Sequence, residues 1–344
     1  MKVAADAKIE LTSAAVLSGG ILKAVGNTPL VQLTRLFESS DFRLQAKLEM
    51  ANPGGSGKDR SALGMLLDAC ERGQIGPETT VIESSSGNLG VGLAQACTYL
   101  NLRFICVVDA RTTANHVAIL KAYGAEVELV ASADSPGGDL LTARLARVQQ
   151  LKQRIADSFW INQYANPSNP HAQYEVFREI CEALPDGGVD YLFVATSTCG
   201  TLRGCREYIR DHWLSTRIVA VDAAGSVIFG DTPKPRLIPG HGASKRPALY
   251  ESGLEDECVH VTDRECVAGC FRLLRREAIF AGGSSGAVVA AIGKMRRHIP
   301  RGATVAAILC DRGDRYLDTV YSRPWIGENF GSDFEPWRVL EHGG

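Results

Sequence analysis

The feature that most constrains the fold is a unit that recurs along the chain: a short apolar strand, a Gly/Ser-rich loop, then a helix with one apolar face. Phe42, Leu44, Ala46, Leu48 and Met50 alternate with Arg43, Gln45, Lys47 and Glu49, a period of two that predicts a strand with one buried face. Residues 52–57 follow as a loop by composition. Ala62, Met65, Leu66 and Ala69 then share one face of a helix that starts near Asp59 and stops at Gly73. The same reading places strands at 80–83, 102–108, 125–130, 190–196, 217–222 and 303–310. It places helices at 91–100, 114–123, 138–156, 201–212, 262–277 and 285–296. Asn169 is expected to cap a helix beginning with Pro170, and Thr262 to cap the helix that follows it. Alternating strand and helix implies an α/β fold, with parallel strands covered on both faces and a ligand at the strand C-terminal ends.

Composition narrows the function classes. With 344 residues, 45% hydrophobic and 22% charged, the chain is in the globular range, and its length favours two domains. A net charge of −2 argues against a nucleic-acid partner. Ten cysteines without a C-x-x-C pair and seven histidines without H-E-x-x-H spacing point away from a metal site. The longest uncharged run, Ser84 to Leu102, is too rich in Ser, Asn, Gln and Gly for lipid. Asp6 and Glu10 interrupt the apolar core that a signal peptide needs. The expectation is a cytoplasmic protein with reduced thiols, without membrane contact.

Four loops, 52–58, 84–90, 197–201 and 282–286, are each expected between a strand and a helix, where N–H groups and the helix dipole favour anions. Residues 53–60 superficially resemble a P-loop, but Asn52 stands at the first glycine position and Asp59 at the Mg²⁺-binding hydroxyl. Lys58 reads either as a surface lysine after a turn or as a desolvated amine able to form a Schiff base. Gly87, Gly90 and Gly92 have the wrong order of gaps for a dinucleotide fingerprint. That segment reads as a helix cap or as a carboxylate cradle of Ser hydroxyls, with Asn88 as an amide donor. Ser197, Thr198 and Thr201 put three hydroxyls beside Gly200, a phosphate cup or again a cap. Residues 282–286 match G-x-S-x-G, but only His298 and His342 lie downstream, so a serine hydrolase is a remote alternative.

Taken together, Asn52-Pro53-Gly54-Gly55-Ser56-Gly57-Lys58-Asp59-Arg60, the Ser-Ser-Gly-Asn loop at 85–88, the loop at 197–201, Gly283-Ser284-Ser285-Gly286 and Gly26-Asn27-Thr28-Pro29-Leu30 resemble the signatures of one family. It is the pyridoxal-phosphate-dependent cysteine synthase/cystathionine β-synthase family, and the resemblance spans about residues 20 to 325. It implies fold-type II, two α/β domains with pyridoxal 5'-phosphate in the cleft between them. Residues 1–18 would be a flexible lead-in and 331–344 a C-terminal tail. Residues 19–51 with 161–330 would form the larger cofactor-binding domain, and 52–160 the smaller mobile substrate domain. Lys58 would carry the cofactor and shuttle the substrate Cα proton. Asn88 would bond its 3′-hydroxyl, Ser197, Thr198, Cys199, Gly200 and Thr201 would hold its phosphate, and Ser284 would face the pyridine nitrogen. Ser85, Ser86 and Gly87 would grip the substrate carboxylate.

Departures from the common pattern refine the resemblance. Leu89 replaces a Thr, Ser197 and Cys199 replace glycines, Tyr164 follows Gln163 where Phe is usual, and Gly240-His241-Gly242-Ala243-Ser244-Lys245 brings a cation. With residues 221–230 and 311–317 these resemble one branch, the N-(2-amino-2-carboxyethyl)-L-glutamate synthases of 2,3-diaminopropionate and siderophore biosynthesis. That branch implies β-replacement on O-phospho-L-serine by the amine of L-glutamate, through an aminoacrylate, in a homodimer. Tyr164 would line the substrate site, Lys245 or Arg246 would meet glutamate, and Arg144 the phosphate. The alternatives are a cysteine or cystathionine synthase with a thiol nucleophile, and a cofactor-bound scaffold without turnover.

Overall fold

A computed structural model describes residues 11–37, 41–130, 140–184 and 188–338. Among them ten strands and ten α-helices form. The strands are β1 (Leu30–Gln32), β2 (Arg43–Leu48), β3 (Thr80–Ser84), β4 (Phe104–Asp109), β5 (Glu126–Val130), β6 (Ser158–Trp160), β7 (Tyr191–Ala195), β8 (Arg217–Ala223), β9 (Glu257–Val261) and β10 (Thr304–Leu309). The helices are α1 (Ser13–Val16), α2 (Lys58–Glu71), α3 (Asn88–Tyr99), α4 (Ala114–Ala122), α5 (Leu140–Arg154), α6 (Ser168–Ala183), α7 (Gly200–Asp211), α8 (Asp263–Glu277), α9 (Gly283–Met295) and α10 (Arg323–Phe330). Two compact units result, one from Met1–Val25 and Ala62–Asn162, the other from Gly26–Ser61 and Gln163–Gly344.

The smaller unit holds a parallel sheet in the order β5-β4-β3-β6. β3 and β4 are buried along their whole length, as strands covered on both faces must be. Leu66, Leu93, Ala96 and Phe104 pack on one side, and Ile82, Ile105, Val107, Val148 and Leu151 on the other. Residues 11–18, expected as lead-in, include α1, where Thr12 caps the helix and Val16 joins the core.

The larger unit holds a six-stranded sheet in the order β1-β2-β10-β7-β8-β9. Only β1 runs antiparallel to its neighbour. α8 and α9 cover one face with Val267, Leu273, Val288 and Ile292, and α6 and α7 cover the other with Phe177, Ile180, Leu202 and Ile209. β10, the last strand in the chain, inserts between β2 and β7, pairing Ala307 with Ala46 and with Phe193. The C-terminal ends of β2, β10 and β7 therefore finish side by side, and the segments that follow them share one edge. α8 and α9 approach closely because both lack a side chain at the crossing: a Cβ on Gly269 would run into the Gly286 carbonyl.

Several expectations need correction. β1, β6 and β9 and the short helices α1 and α10 carry too few patterned residues to stand out and were not anticipated. The helix expected to start with Pro170 starts at Ser168, whose N–H donates to Asn166 Oδ1 at 3.0 Å. Asn169 is thus no cap; its side chain is used in tertiary contacts. Thr262 does cap α8, in a reciprocal capping box with Glu265. Loop 282–286 follows an isolated bridge, Ala281 to Arg312, and not a sheet strand. Positions 138 and 139 of the expected helix, residues 1–10 of the lead-in and 339–344 of the tail, including His342, lie outside the described residues. Within the rest of that tail, Phe334 and Trp337 pack on the core of the larger unit.

Candidate active site

Lys58 is the first residue of α2, and the loop before it is tied to the end of β10. Gly57 N–H donates to the Cys310 carbonyl at 2.9 Å, and Ser56 bridges Asp311. The Lys58 backbone N–H donates to Ser56 Oγ at 3.2 Å. Asp59 Oδ2 accepts the Gly54 N–H at 2.5 Å, and Arg315 donates to the Gly54 carbonyl. Burial raises Asp59 to about 7 against the opposing pull of that N–H and of Arg315. Burial also lowers the proton affinity of the Lys58 amine, while Cys310, Asp311 and Cys199 pull the other way. A lysine shifted downward is neutral more often at physiological pH, which Schiff-base formation and proton abstraction both require.

A charge cluster behind Lys58 was not anticipated. Arg60 Nε and Nη2 donate to Glu49 at 2.7 and 2.8 Å, and its Nη1 and Nη2 donate to Glu179 at 2.7 and 2.8 Å. Lys47 Nζ reaches Glu179 and the Thr28 carbonyl, each at 2.6 Å. Thr28 Oγ1 donates to Glu49 at 2.7 Å, and Asn52 Oδ1 accepts the Gly26 N–H at 2.8 Å. The 26–30 and 52–60 segments are thereby welded through two buried cations and two buried anions. Lys47 and Glu49 are 2% and 1% exposed, so the polar face that is open at Arg43 is buried by the end of β2. Alternation signals that two faces differ; it carries no signal that a carboxylate 132 residues further on completes the cluster. Burial acting alone would raise Glu179, but its bonds to Arg60, Lys47 and Asn27 hold it at about 2.

The 197–201 segment turns sharply into α7. Cys199 sits at φ +65°, a left-handed backbone that costs a non-glycine residue on the order of 1 kcal/mol. Gly200 has no room for a Cβ because Asn169 Oδ1 occupies it. Asn169 Oδ1 in turn accepts from Ser61 Oγ at 2.8 Å, and its Nδ2 donates to the Gln163 carbonyl at 2.8 Å. Cys199 makes no side-chain cap to α7, and the Gly200 N–H reaches Thr198 Oγ1 at 3.5 Å. Ser197 Oγ donates to the Gly242 carbonyl at 3.3 Å, and Gly242 N–H to the Thr196 carbonyl at 2.8 Å, which lays 240–245 along this loop. Lys245 and Arg246 are exposed; Arg246 Nε donates to the Ile228 carbonyl at 3.1 Å, and its guanidinium lies 5.2 Å from the Tyr250 ring centroid. Tyr164 is partly buried in the turn before α6.

Ser284 and Ser285 open α9 beside the end of β10. Ser285 Oγ accepts the Cys310 N–H at 2.9 Å. Lys58, Cys199, Cys310, Asp311 and Ser284 thus form one neighbourhood in the larger unit. Asn88, Ser85, Ser86, Gly87 and Arg144 lie in the smaller unit. There Ser85 Oγ accepts the Gly90 N–H at 3.0 Å in the first turn of α3, and Asn88 is partly buried. Arg144 is buried and pairs with Asp109 at 3.1 Å at the end of β4.

These residues suit pyridoxal phosphate. An amine of lowered proton affinity, a helix start ringed by hydroxyls and a serine at a second helix start match the aldehyde, phosphate and ring of the cofactor. The chain matches the model of the pyridoxal-phosphate dependent enzyme family over residues 21–311 and belongs to that family. Its α/β architecture is that of fold-type II. It is 46% identical over 311 residues to an N-(2-amino-2-carboxyethyl)-L-glutamate synthase of Cupriavidus metallidurans, covering 89% of this chain and 90% of the relative. It is 45% identical to a synthase of the same name from Ralstonia nicotianae, covering 90% and 91%. Among solved structures, an O-ureido-L-serine synthase superposes with a TM-score of 0.81 at 31% identity, covering 92% and 97%. An O-acetylserine dependent cystathionine β-synthase from Helicobacter pylori does so at 0.81 and 29%, covering 88% and 98%.

Proposed function

We propose that the protein is a pyridoxal-phosphate-dependent transferase that makes N-(2-amino-2-carboxyethyl)-L-glutamate by β-replacement. The observation that carries this is identity of 45–46% over about nine-tenths of the chain to two synthases of that name. In the reaction the Cβ–O bond of O-phospho-L-serine breaks, phosphate leaves, and a Cβ–N bond to the amine of L-glutamate forms. Pyridoxal phosphate, when bound, supplies the electron sink that acidifies the substrate Cα–H.

The chain's own residues supply the rest. Lys58 carries the cofactor covalently between turnovers, takes the Cα proton on Nζ and returns it once the Cβ–N bond exists. Its burial supports this role, because only the neutral amine can accept a proton. Ser197 to Thr201 and the start of α7 hold the cofactor phosphate, Asn88 its 3′-hydroxyl and Ser284 its ring nitrogen. Ser85, Ser86 and Gly87 receive the substrate carboxylate, with Tyr164 lining the site. Lys245 attracts the glutamate carboxylates, and Arg144, oriented by Asp109, the departing phosphate. We infer that the larger unit, Gly26–Ser61 with Gln163–Gly344, binds the cofactor and that the smaller unit is a mobile substrate domain. We also infer a cytoplasmic homodimer acting in 2,3-diaminopropionate and siderophore biosynthesis. All ten cysteines are free thiols, which supports a reducing compartment.

The test is phosphate release from O-phospho-L-serine by the purified holoenzyme, with glutamate, sulfide or homocysteine as nucleophile. Glutamate-dependent release with the expected product by mass spectrometry is the predicted result; release with thiols alone would make the enzyme a cysteine or cystathionine synthase. Borohydride reduction should fix the cofactor to the peptide containing Lys58 and leave a Lys58→Ala variant unlabelled.

A further inference from the structure

A cavity of about 540 Å³ opens between α8 and α9, a size that suits a small molecule. Ala268 and Gly269 of α8 and Ala290 and Gly293 of α9 are too small to fill it, and Phe37 and Val289 add apolar wall. A Cβ placed on Gly293 would touch only the Phe37 ring, at 3.5 Å, an ordinary contact. The charged groups around this apolar space are Glu265, Arg272, Lys294, Arg296 and Arg297. Lys294 Nζ lies 2.8 Å from Glu265 and donates to the His260 carbonyl at 2.9 Å, so the acid is already neutralised. The Arg272 guanidinium stands 5.5 Å from the Phe37 ring centroid. Arg296 is half-buried and Arg297 exposed, and among the described residues neither has a hydrogen-bond or ion-pair partner. The helices run antiparallel here, since Glu265, before Gly269 in the chain, meets Lys294, after Gly286. Their dipoles therefore oppose each other, and the arginines set the local charge.

We propose that this cavity binds a small molecule with a flat apolar body and a phosphate or carboxylate group. The body lies on the small residues of the two helices beside the Phe37 ring. Arg296 and Arg297 take the anion through charge-assisted hydrogen bonds, for which the planar guanidinium is suited. A half-buried guanidinium has lost part of its hydration, so an anion there is held more strongly than at an open surface. The site is separate from the Lys58 neighbourhood: Ser284 opens α9, and Gly293 lies nine residues on, about 14 Å along the helix axis. It stands whichever nucleophile the enzyme uses.

The experiment titrates the holoenzyme, its Lys58 occupied by cofactor, with 1-naphthyl phosphate, read by naphthyl fluorescence and by calorimetry. Inorganic phosphate supplies the charge without the body, and 1-naphthalenemethanol the body without the charge. Each should bind at least about tenfold more weakly than the ester. Arg296→Glu should weaken the ester at least about tenfold, and Gly293→Leu, which fills the cavity at unchanged charge, should do the same. Melting temperature and cofactor absorbance identify the folded variants, and Arg296→Gln and Gly293→Met replace any that does not fold. Absence of saturable binding to the wild type would overturn the proposal. Equal affinity in the wild type and the cavity-filled variant would place the ester elsewhere and overturn it too. Inorganic phosphate binding as tightly as the ester would leave a surface cation pair and overturn the assigned ligand class.

Discussion

Gln173 Nε2 donates to the carbonyl of Gly57 at 2.9 Å and to Ser61 Oγ at 2.8 Å, while its Oε1 accepts from Thr201 Oγ1 at 3.2 Å. One buried amide thus fastens the residue before Lys58 to the helix start proposed to hold the cofactor phosphate. Gln173→Leu keeps the bulk and removes every one of these bonds. Leaving the Gly57 carbonyl buried without its donor should cost about 1–3 kcal/mol in urea unfolding. Cofactor affinity should fall as well, because the two anchoring segments lose their common strut. Unchanged cofactor affinity would mean that the two are positioned independently.

Glu179 is the keystone of the buried charge cluster. Glu179→Gln leaves Arg60 and Lys47 short of a counter-charge, and should destabilise the protein by about 3–5 kcal/mol. The carboxyl titrates near 2, below its ordinary value, so its contribution is complete above about pH 4.5 and disappears as pH falls through 2. The wild type should therefore lose stability over that acid window, and Glu179→Gln should lose much less of it. Parallel acid titrations followed by circular dichroism would compare the two.

Asp59 has the opposite sign. Its folded-state value, about 7, lies above its ordinary value near 4, so between those limits the folded protein holds a proton that the unfolded chain has released. Stability should then decrease as pH rises from about 4 to about 7, by up to about 1.4 kcal/mol per pH unit from this group. Asp59→Asn retains an oxygen for the Gly54 N–H and should flatten the slope. A series of melting temperatures in matched ionic strength, with equal slopes for both proteins, would rule out this titration.

At the crossing of α8 and α9 the two backbones are in contact because Gly269 and Gly286 carry no Cβ. Gly269→Ala forces the helices apart and should cost at least about 1–3 kcal/mol, where an alanine in an exposed helix would gain stability. Ser284 and Ser285 ride on the first turn of α9, so the variant should also bind cofactor less tightly. Wild-type stability in Gly269→Ala would show that the crossing has slack.

The sequence made the local units readable because strand and helix periods are short-range signals. The run from β3 to β5 and the loop before Lys58 are carried by residues within a few positions of each other. Residues that act across long separations were invisible. Lys47 and Glu49 look like the wet side of a strand until Glu179 and Arg60 close around them. Asn169 looks like a helix cap because Pro170 follows it, yet its amide serves Ser61 and Gln163. β1, β6 and β9 have five residues or fewer and borrow their order from a neighbouring strand. The loop motifs located Lys58, the 197–201 turn and Ser284, but Cys310, whose carbonyl receives Gly57 and whose N–H reaches Ser285, lies on no motif.

The placement of β10 has a consequence for how the protein is made. β2 leaves the ribosome long before its partner, and its long edge waits for residues 304–309, more than 250 positions later. At typical elongation rates that delay is on the order of tens of seconds. During it, an apolar edge of β2 is unpaired and the Gly57 N–H lacks its acceptor, since the Cys310 carbonyl that receives it does not yet exist as chain. A chain released short of about residue 310 would have most of its helices but not the β10 end that anchors the loop before Lys58. The nascent protein should need holding by chaperones through that interval, and the amine cannot be set fully in place until residue 310 has been made.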